Sequence, residues 1–443
     1  MTDTIFALAS APGRAGVAVI RVSGPGAGGA LRRLSDGAVP SPRYAAYRRL
    51  RDPWSGAVID EALVLWFPGP ASFTGEDVAE FHLHGGRAVI AALIDALYNC
   101  PGLRPAEPGE FTRRAFENGK LDLTAAEGLA DLVNAETEGQ RRQALRQMQG
   151  ELGRLYDRWR EGLVGALAQA EAAIDFPDED LPAGLEDVVR GRLAEILGEI
   201  SQHLADNRRG ERLRDGFSIA LIGAPNTGKS SLLNWLAQRD AAIVSATAGT
   251  TRDIIEVQLD LGGYPVLVAD TAGLRTAQDE IEAEGVRRAL DRAGAADLRI
   301  ALFDATAWPD FDLETTRLID DDTIPVINKT DLRSIDPEVR IGGRAAQCLS
   351  VRSGNGLPAF LDQVTDAVAE RLGGGTALPL TRARHRHALE ECLDALGRTQ
   401  AAALSELAVE DLRLAVTALG RITGRIDVED LLDRIFRDFC IGK

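Results

Sequence analysis

The residues best equipped for chemistry lie in one short stretch, Gly223-Ala-Pro-Asn-Thr-Gly228-Lys229-Ser230, which follows the apolar run Ile219–Ile222 and opens a helical pattern, Ser231–Ala237. Glycines there let backbone amides converge on phosphate oxygens. The compact ammonium of Lys229 neutralises terminal oxygens, and the Ser230 hydroxyl can hold Mg²⁺ at a helix N-terminus. This is a P-loop in the strand-to-helix setting it needs, and it makes Asn226, Thr227, Gly228, Lys229, Ser230 and Ser231 the expected phosphate-binding set. Downstream, Asp270-Thr-Ala-Gly273 closes another apolar strand, where a carboxylate can sense Mg²⁺ through water and Gly273 can offer its amide to a γ-phosphate. Asn328-Lys329-Thr330-Asp331 closes a further one. Asp331 can accept from both N1 and the exocyclic amine of guanine, a donor pair adenine lacks, while the Lys329 stem can lie along the purine. Ser350-Val351-Arg352 is the expected second base-contacting loop. The order of these parts implies a GTP pocket rather than an ATPase or a decayed P-loop.

Hydrolysis needs more than binding. Many small GTPases place a water-orienting Gln after the D-x-x-G glycine, whereas this chain has Leu274. Asp279, Glu280 and Glu282 stand just downstream, before the helical stretch Ala283–Leu290, as candidates for that role. The same acids would also suit a helix N-terminus through its macrodipole, and the sequence leaves both readings open. Ser245-Ala-Thr247-Ala-Gly-Thr250-Thr251-Arg252-Asp253 is small, polar and glycine-broken, in the place where a first switch loop folds over a γ-phosphate and a Thr hydroxyl reaches Mg²⁺. No separate arginine finger is evident, although Arg252 and Arg275 lie nearby. Asn226 offers a neutral amide oxygen, a suitable ligand for a monovalent cation that would perform the finger's electrostatic task.

Elements must carry these loops. From Phe217 onward, β-rich runs (Phe217–Ile222, Ile254–Leu261, Val266–Ala269, Leu298–Phe303, Pro325–Ile327, Cys348–Val351) alternate with helical stretches, the signature of a doubly wound α/β domain over 216–372. Before it, residues 1–117 mix short apolar runs such as Val17–Val22, Ala62–Phe67 and Val78–Leu83 with an amphipathic stretch, Ala88–Tyr98, as in an α+β unit. Residues 118–215 read as helical. Gln140–Ile174 is expected to form one long helix and Leu185–Leu204 another, with an Arg-rich turn near Arg208–Arg214. Residues 373–443 are helical again, through Leu389–Ala403 and Leu412–Leu419. The simplest packing sets them against 118–215, so that the α/β unit is an insertion in a helical domain. Three domains in a row, with a small C-terminal bundle, is the rival arrangement.

Composition narrows the partners. The chain has 443 residues and a formal net charge of −17, so no uniformly basic surface exists to grip a phosphate backbone. Four cysteines lie far apart without a C-x-x-C pair, which fits neither a disulfide framework nor a zinc site and suits a reducing cytosol. No apolar run reaches bilayer-spanning length, and no positive charge precedes Arg14 as a secretory signal would require. Of the 50 basic residues only Lys120, Lys229, Lys329 and Lys443 are lysines. Where any positive charge served, arginine was used, so each lysine hints at a need for a compact donor.

With these residues in view, the chain resembles the MnmE (TrmE) family of tRNA-modification GTPases over nearly its whole length. The marks are Ala11-Pro-Gly-Arg-Ala-Gly-Val17, Arg21-Val-Ser-Gly24, Phe73-Thr-Gly-Glu-Asp77, His84-Gly-Gly86, Pro108-Gly-Glu-Phe-Thr-Arg-Arg-Ala-Phe116, Asn118-Gly-Lys-Leu-Asp-Leu123, the GTPase motifs and the final Phe439-Cys-Ile-Gly-Lys443. The resemblance implies a multidomain fold: an α+β N-terminal tetrahydrofolate-binding domain that dimerises, an all-α central domain, and an inserted α/β P-loop GTPase domain. It implies potassium-dependent GTP hydrolysis through transient pairing of GTPase domains. It also implies a partner, the FAD protein MnmG, in a heterotetrameric or larger complex that meets tRNA. Together they would add an aminomethyl or carboxymethylaminomethyl group to C5 of the wobble uridine. The one-carbon unit would come from 5,10-methylenetetrahydrofolate or 5-formyltetrahydrofolate, the amine from ammonium or glycine.

Carried over by position, the resemblance assigns Asn226, Ser245, Thr247 and Thr250 to potassium and Ser230 with Thr251 to Mg²⁺. It matches Glu282 to the water-orienting acid, and Arg21, Glu80, Lys120 and Lys443 to folate. Cys440 is matched to a cysteine suspected in the modification chemistry, where a thiolate could add to uridine C6 or to a one-carbon adduct; a buried, inert thiol is the alternative. All four lysines fall on matched sites. Ser350-Val-Arg stands where Ser-Ala-Lys is common.

Other motifs carry less. Gly24-Pro-Gly26-Ala-Gly-Gly29 satisfies G-x-G-x-x-G, yet Pro25 disrupts an amide nest and turn punctuation is the better reading. Cys440 sits four residues from the end like a prenylation box, but Gly442 is not aliphatic. His82, His84 and the run Arg382-Ala-Arg-His-Arg-His387 lack complete metal-ligand spacing, so a solvated or RNA-facing surface is expected. A regulatory GTPase in ribosome assembly or stress signalling is the competing function. It would more often bring a basic, aromatic RNA-binding appendage, and this chain is acidic and 5% aromatic.

Overall fold

The computed structural model describes residues 3–35, 38–175, 185–239, 241–243, 256–270, 294–373, 378–401, 406–426, 429–437 and 439–442. By internal contacts the chain divides into two compact units. One comprises 1–130, 146–181 and 404–443; the other comprises 131–145 and 182–403.

The first unit is built on a six-stranded sheet of β1 (Thr4–Leu8), β2 (Ala15–Ser23), β3 (Ala46–Arg51), β4 (Val58–Phe67), β5 (Val78–Gly85) and β6 (Leu103–Pro105), in the order β3-β4-β5-β2-β1-β6. It is antiparallel except for the β1–β6 pair. Alternation sets its faces: Ile20 and Val22 are fully buried in a core with Phe81, Leu31 and Leu97, while Arg21 between them points the other way. Residues 24–26 connect strand to helix, and their amides are not open to a phosphate: Gly24 N donates to the Asp77 carbonyl and Gly26 N to Thr4 Oγ1. Gly24 has φ 128°, and a Cβ there would lie 2.7 Å from the Asp3 carbonyl, after which helix Ala27–Leu34 begins. Arg114, 1% exposed, ties the unit together: it donates to Asp3 Oδ1 at 3.0 Å, Glu76 Oε2 at 3.1 Å and Glu110 Oε1 at 3.0 Å.

Helices Glu151–Asp175 and Glu406–Thr423 pack together in this unit. The single helix expected over Gln140–Ile174 is instead two, Glu138–Met148 and Glu151–Asp175. Gly150 stops the first turn-for-turn: at φ 77° it adopts the left-handed conformation that ends helices and restarts the next, its carbonyl accepting from Arg154 N. The apolar spacing continues across the break, which is why it is invisible to periodicity.

The second unit holds β7 (Phe217–Ile222), β8 (Glu256–Leu261), β9 (Tyr264–Asp270), β10 (Leu298–Asp304), β11 (Thr323–Asn328), a small hairpin of β12 (Arg340–Ile341) and β13 (Arg344–Ala345), and β14 (Gln347–Cys348). The main sheet runs β14-β11-β10-β7-β9-β8, parallel throughout except for β8. This is the expected α/β P-loop fold. Near-continuous apolar strands such as Ile219, Ala220 and Leu221 are buried on both faces, as parallel sheets require. The last strand is shorter than the run Cys348–Val351, because Ser350–Ser353 turns away: Gly354 N and Ser353 N both bond back to Ser350.

Two expectations outside the sheet fail. The Arg-rich turn is a helix, Arg209–Asp215, whose Gly210 packs so closely that a Cβ would meet the Leu380 carbonyl. The run Arg382–His387 is not solvated throughout as expected: His387 is exposed, beside Glu391, whereas Arg382, His385 and Arg386 are engaged within the unit. Arg386 donates to Asp206 Oδ1 (2.8 Å), Glu211 Oε1 (2.9 Å) and the Leu204 carbonyl (3.0 Å), Arg382 to Asp131 (2.7 Å), and His385 is fully buried. Only partners far along the chain, up to 251 residues away, reveal this. Nearby, burial pushes the His203 imidazole down to about 4, with Arg386 adding to the effect and Asp206 opposing it.

Residues 131–145 join this unit through the turn of the β8–β9 hairpin. Gly139 N donates to the Gly263 carbonyl at 2.8 Å, Gln258 Nε2 donates to Glu136 Oε2, and a Cβ on Gly139 would lie 2.8 Å from the Gly263 oxygen.

Candidate guanine nucleotide site

Strand order places the chemistry. β7, β9, β10 and β11 run parallel, so Gly223, Asp270, Asp304 and Asn328 all emerge from the carboxyl edge of the sheet, where ligands of open α/β sheets bind. Gly223 (φ 145°) and Gly228 (φ 105°) bound the loop, and helix Lys229–Ala237 follows immediately.

Within the loop Thr227, Lys229 and Ser230 are already engaged. Lys229, buried, donates from Nζ to the carbonyls of Gly223 (2.7 Å) and Ala224 (2.9 Å), which draws its ammonium across the mouth of the loop. Ser230 Oγ donates to Asp270 Oδ2 at 2.7 Å. A hydroxyl and a carboxylate thus meet at a helix N-terminus, two hard oxygen donors of the kind Mg²⁺ selects. Thr227 Oγ1 closes the loop on Ala224 O (2.9 Å). Asn226 is exposed and left-handed at φ 64°, at the outer turn of the loop. Ser231 is exposed on the first turn of the helix.

The base side is organised by Asn328. Its Nδ2 donates to the Thr227 carbonyl at 2.9 Å, while its Oδ1 accepts from Lys329 N (2.8 Å) and Val351 N (3.1 Å). One buried amide therefore fastens the phosphate loop, the Asn328–Asp331 loop and the Ser350 loop to each other. Gly228 is part of the same fastening, since a Cβ there would come within 2.2 Å of Asn328 Nδ2. Ser350 Oγ donates to Asp331 Oδ1 at 2.6 Å, which orients the carboxylate expected to read guanine. Arg352 is exposed. Lys329, left-handed at φ 65°, reaches Asp304 Oδ2 at 2.6 Å.

Asp304 was not singled out in the sequence, although it closes the apolar run Leu298–Phe303 just as Asp270 closes Val266–Ala269. Ser245, Thr247, Thr250, Thr251, Gly273, Glu282 and Lys443 lie outside the described residues.

The sequence-derived residues of the first unit form a different arrangement. Arg21 on β2 and Glu80 on β5 are register partners, joined by Arg21 Nε to Glu80 Oε1 at 2.9 Å. His82 Nε2 lies 3.2 Å from the other Glu80 oxygen; this bond, together with the Arg21 guanidinium, holds the Glu80 carboxyl below the usual carboxylate range against the opposing effect of burial. The Arg21 guanidinium also sits over the rings of Phe73 (5.5 Å) and Phe111 (5.8 Å). Lys120 Nζ donates to the Pro70 carbonyl at 3.0 Å. Arg21 and Lys120 thus touch the same loop, 68–77, at different points. Cys440 is exposed, not a buried thiol, on a tail held to this unit by the Pro108–Ile441 bridge. His84 pairs with Asp60 at 2.8 Å, and among the described residues no cluster of His, Cys, Asp or Glu has metal-binding geometry. Nor is any described helix long and apolar enough to cross a membrane.

Comparison with known proteins gives the same picture at the level of the whole chain. Residues 4–120 match the family described as GTP-binding protein TrmE N-terminus, and residues 123–440 match the MnmE helical domain. The chain is 58% identical to the tRNA modification GTPase MnmE of Paramagnetospirillum magneticum over 443 residues, covering 100% of both. It is 57% identical to that of Rhodospirillum rubrum, covering 100% of this chain and 99% of the relative. To that of Maricaulis maris it is 58% identical, again over 100% of both. A P-loop with its Ser–Asp pair, a base loop locked to it and full-length similarity together identify a GTP hydrolase acting in tRNA modification, and the chain belongs to the tRNA modification GTPase MnmE family.

Proposed function

We propose that this protein is a potassium-activated GTPase that works with the FAD protein MnmG to place an aminomethyl or carboxymethylaminomethyl group on C5 of the tRNA wobble uridine. In this reading residues 1–117 form the folate-binding and dimerising domain, 118–215 and 373–443 the helical domain, and 216–372 the inserted GTPase domain. The observation that carries the GTPase part is the exposed, left-handed Asn226 beside a phosphate loop whose own cation, Lys229, is drawn across the loop mouth. An amide oxygen there, with Ser245, Thr247 and Thr250, would hold K⁺, whose charge supplies what an arginine finger supplies elsewhere. Ser230 and Thr251 would hold Mg²⁺, with Asp270 as an outer partner. Glu282 would orient the attacking water.

In the N-terminal domain, ionised Glu80 can accept from ring and amino N–H groups of a pterin, with Arg21, Lys120 and Lys443 meeting the rest of 5,10-methylenetetrahydrofolate or 5-formyltetrahydrofolate. The exposed Cys440 is free to act as a nucleophile. With a net charge of −17, the protein meets tRNA mainly through its complex with MnmG, as a cytoplasmic homodimer.

The test is GTP turnover by the purified protein in K⁺ and in Na⁺, with Asn226→Ala alongside. Turnover about tenfold or more higher in K⁺, and lost in the variant, is expected; equal rates in both salts remove the cation assignment. Nucleoside mass spectrometry of tRNA from a deletion strain tests the modification, and unaltered wobble uridines would leave only a regulatory GTPase.

A further inference from the structure

Lys329 belongs to the loop expected to read guanine, and what holds it in place is not part of any nucleotide motif. Asp304 ends β10 directly opposite Asn328 in the parallel register, so the residue after Asn328 reaches back across the strand gap to it. Lys329 Nζ meets Asp304 Oδ2 at 2.6 Å. The other carboxylate oxygen is itself fixed: Oδ1 accepts from Thr306 N (2.9 Å) and Thr306 Oγ1 (2.8 Å), capping the 3₁₀ turn Ala305–Ala307. Arg333 holds that turn from outside through the carbonyls of Thr306 and Trp308. Burial works against the charged form of Asp304, yet the bonds from Lys329 and Thr306 keep its carboxyl below the usual range.

From this chain of contacts we infer that Asp304 is a positioning residue for guanine recognition: it fixes the Lys329 ammonium so that the lysine stem is laid along the base plane before the nucleotide arrives. A lysine on a free four-carbon stem must be ordered each time ligand binds, and a carboxylate that is already clamped removes part of that cost in advance. The inference rests on the assignment of Asn328–Asp331 to the guanine base. It adds that the specificity loop depends on a strand end outside it.

The experiment measures GDP and IDP affinity of the full-length protein, with KM and kcat for GTP, in Asp304→Asn, Lys329→Met and the double variant. Asn keeps an oxygen for the Thr306 cap and loses the charge. Asp304→Asn is expected to weaken GDP about tenfold and raise KM similarly, with kcat within about twofold. IDP should weaken by the same factor, because Asp331, which reads the missing amine, is held separately by Ser350. In the Lys329→Met background the second substitution should add less than about twofold. If it costs as much there as in the wild type, Asp304 acts through the fold and the inference fails. A GDP affinity within twofold of wild type for Asp304→Asn, while Lys329→Met is weak, also overturns it without touching the base assignment. Lys329→Met binding GDP normally would sink that assignment and this inference with it. Should Asp304→Asn not fold, Thr306→Val, which removes one of the two bonds to Oδ1, is read in its place: GDP and IDP weakened together about threefold support the inference, and unchanged affinity overturns it.

Discussion

The nucleotide pocket and the Arg21–Glu80 site are built on opposite plans. In the pocket, short local motifs at the ends of parallel strands supply the groups, and the phosphate loop partly closes on itself: Lys229 bonds to residues five and six positions before it. At Arg21–Glu80 the partners are 59 residues apart and meet only because β2 and β5 pair in one register. A loop motif carries its chemistry with it wherever a strand and helix support it. A sheet-borne pair exists only while the whole sheet does, and depends on buried supports such as Arg114, bonded to Asp3, Glu76 and Glu110.

The contrast can be broken from either side. The largest effect is expected at the interlock of the two nucleotide loops. Gly228→Ala would force a Cβ to within 2.2 Å of Asn328 Nδ2 at φ 105°, and GDP affinity should fall about 1,000-fold, or about 4 kcal/mol, by calorimetry. A nearly normal affinity would mean the loops are not fastened. Next, Arg114→Met would strip Glu76 of the cation it shares with Asp3 and Glu110, which keep Arg104 alone. It should cost the N-terminal unit about 3 kcal/mol or more in denaturant unfolding, and a loss below about 1 kcal/mol would deny Arg114 its role as support.

A pH series sharpens the comparison further. His203 is pushed from its usual 6.5 down to about 4, so folding excludes a proton that the unfolded chain binds. The associated stability is complete above pH 6.5 and is lost as pH falls toward 4, on the order of 3 kcal/mol. His203→Gln should flatten that acid limb of the melting curve in the second unit. Glu80 is instead held ionised, first by its bond with His82 and then by Arg21, and its lowered value gives stability that is present above 4.5 and fades as pH falls below it. The smallest effect belongs there: Glu80→Gln should weaken folate binding about tenfold and remove that acid sensitivity. Unchanged folate affinity would separate Glu80 from the pterin.

How much could be read in advance follows the same division. The P-loop, the Asp270 strand end and Asn328–Asp331 were legible because each motif sits at the end of an apolar run whose parallel alignment brings all of them to one edge. The helical split at Gly150 was not, since periodic apolar spacing runs through it and only a left-handed φ marks the stop. Nor was the inward pairing of Arg382 and Arg386, which look solvent-directed until Asp131, Asp206 and Glu211 arrive from elsewhere in the chain. Arg21 and Glu80 came only from resemblance; alternation on two strands places them on a face but cannot say which strands adjoin. Asp304 shows the middle case, a visible acid at a strand end whose meaning depends on which strand lies beside it.

The hairpin of β8 and β9 joins two distant points of the second unit. β9 ends at Asp270, partner of Ser230, and at its far turn Gly263 receives the amide of Gly139. Seven residues rising about 3.3 Å each span roughly 20 Å, and a paired strand is stiff along its length. Any sliding of β9 when the magnesium end tightens or relaxes must therefore either drag residue 139 along or snap a 2.8 Å bond. At the tip of that hairpin the contact is backbone to backbone, between two residues with no side chain to absorb a shift.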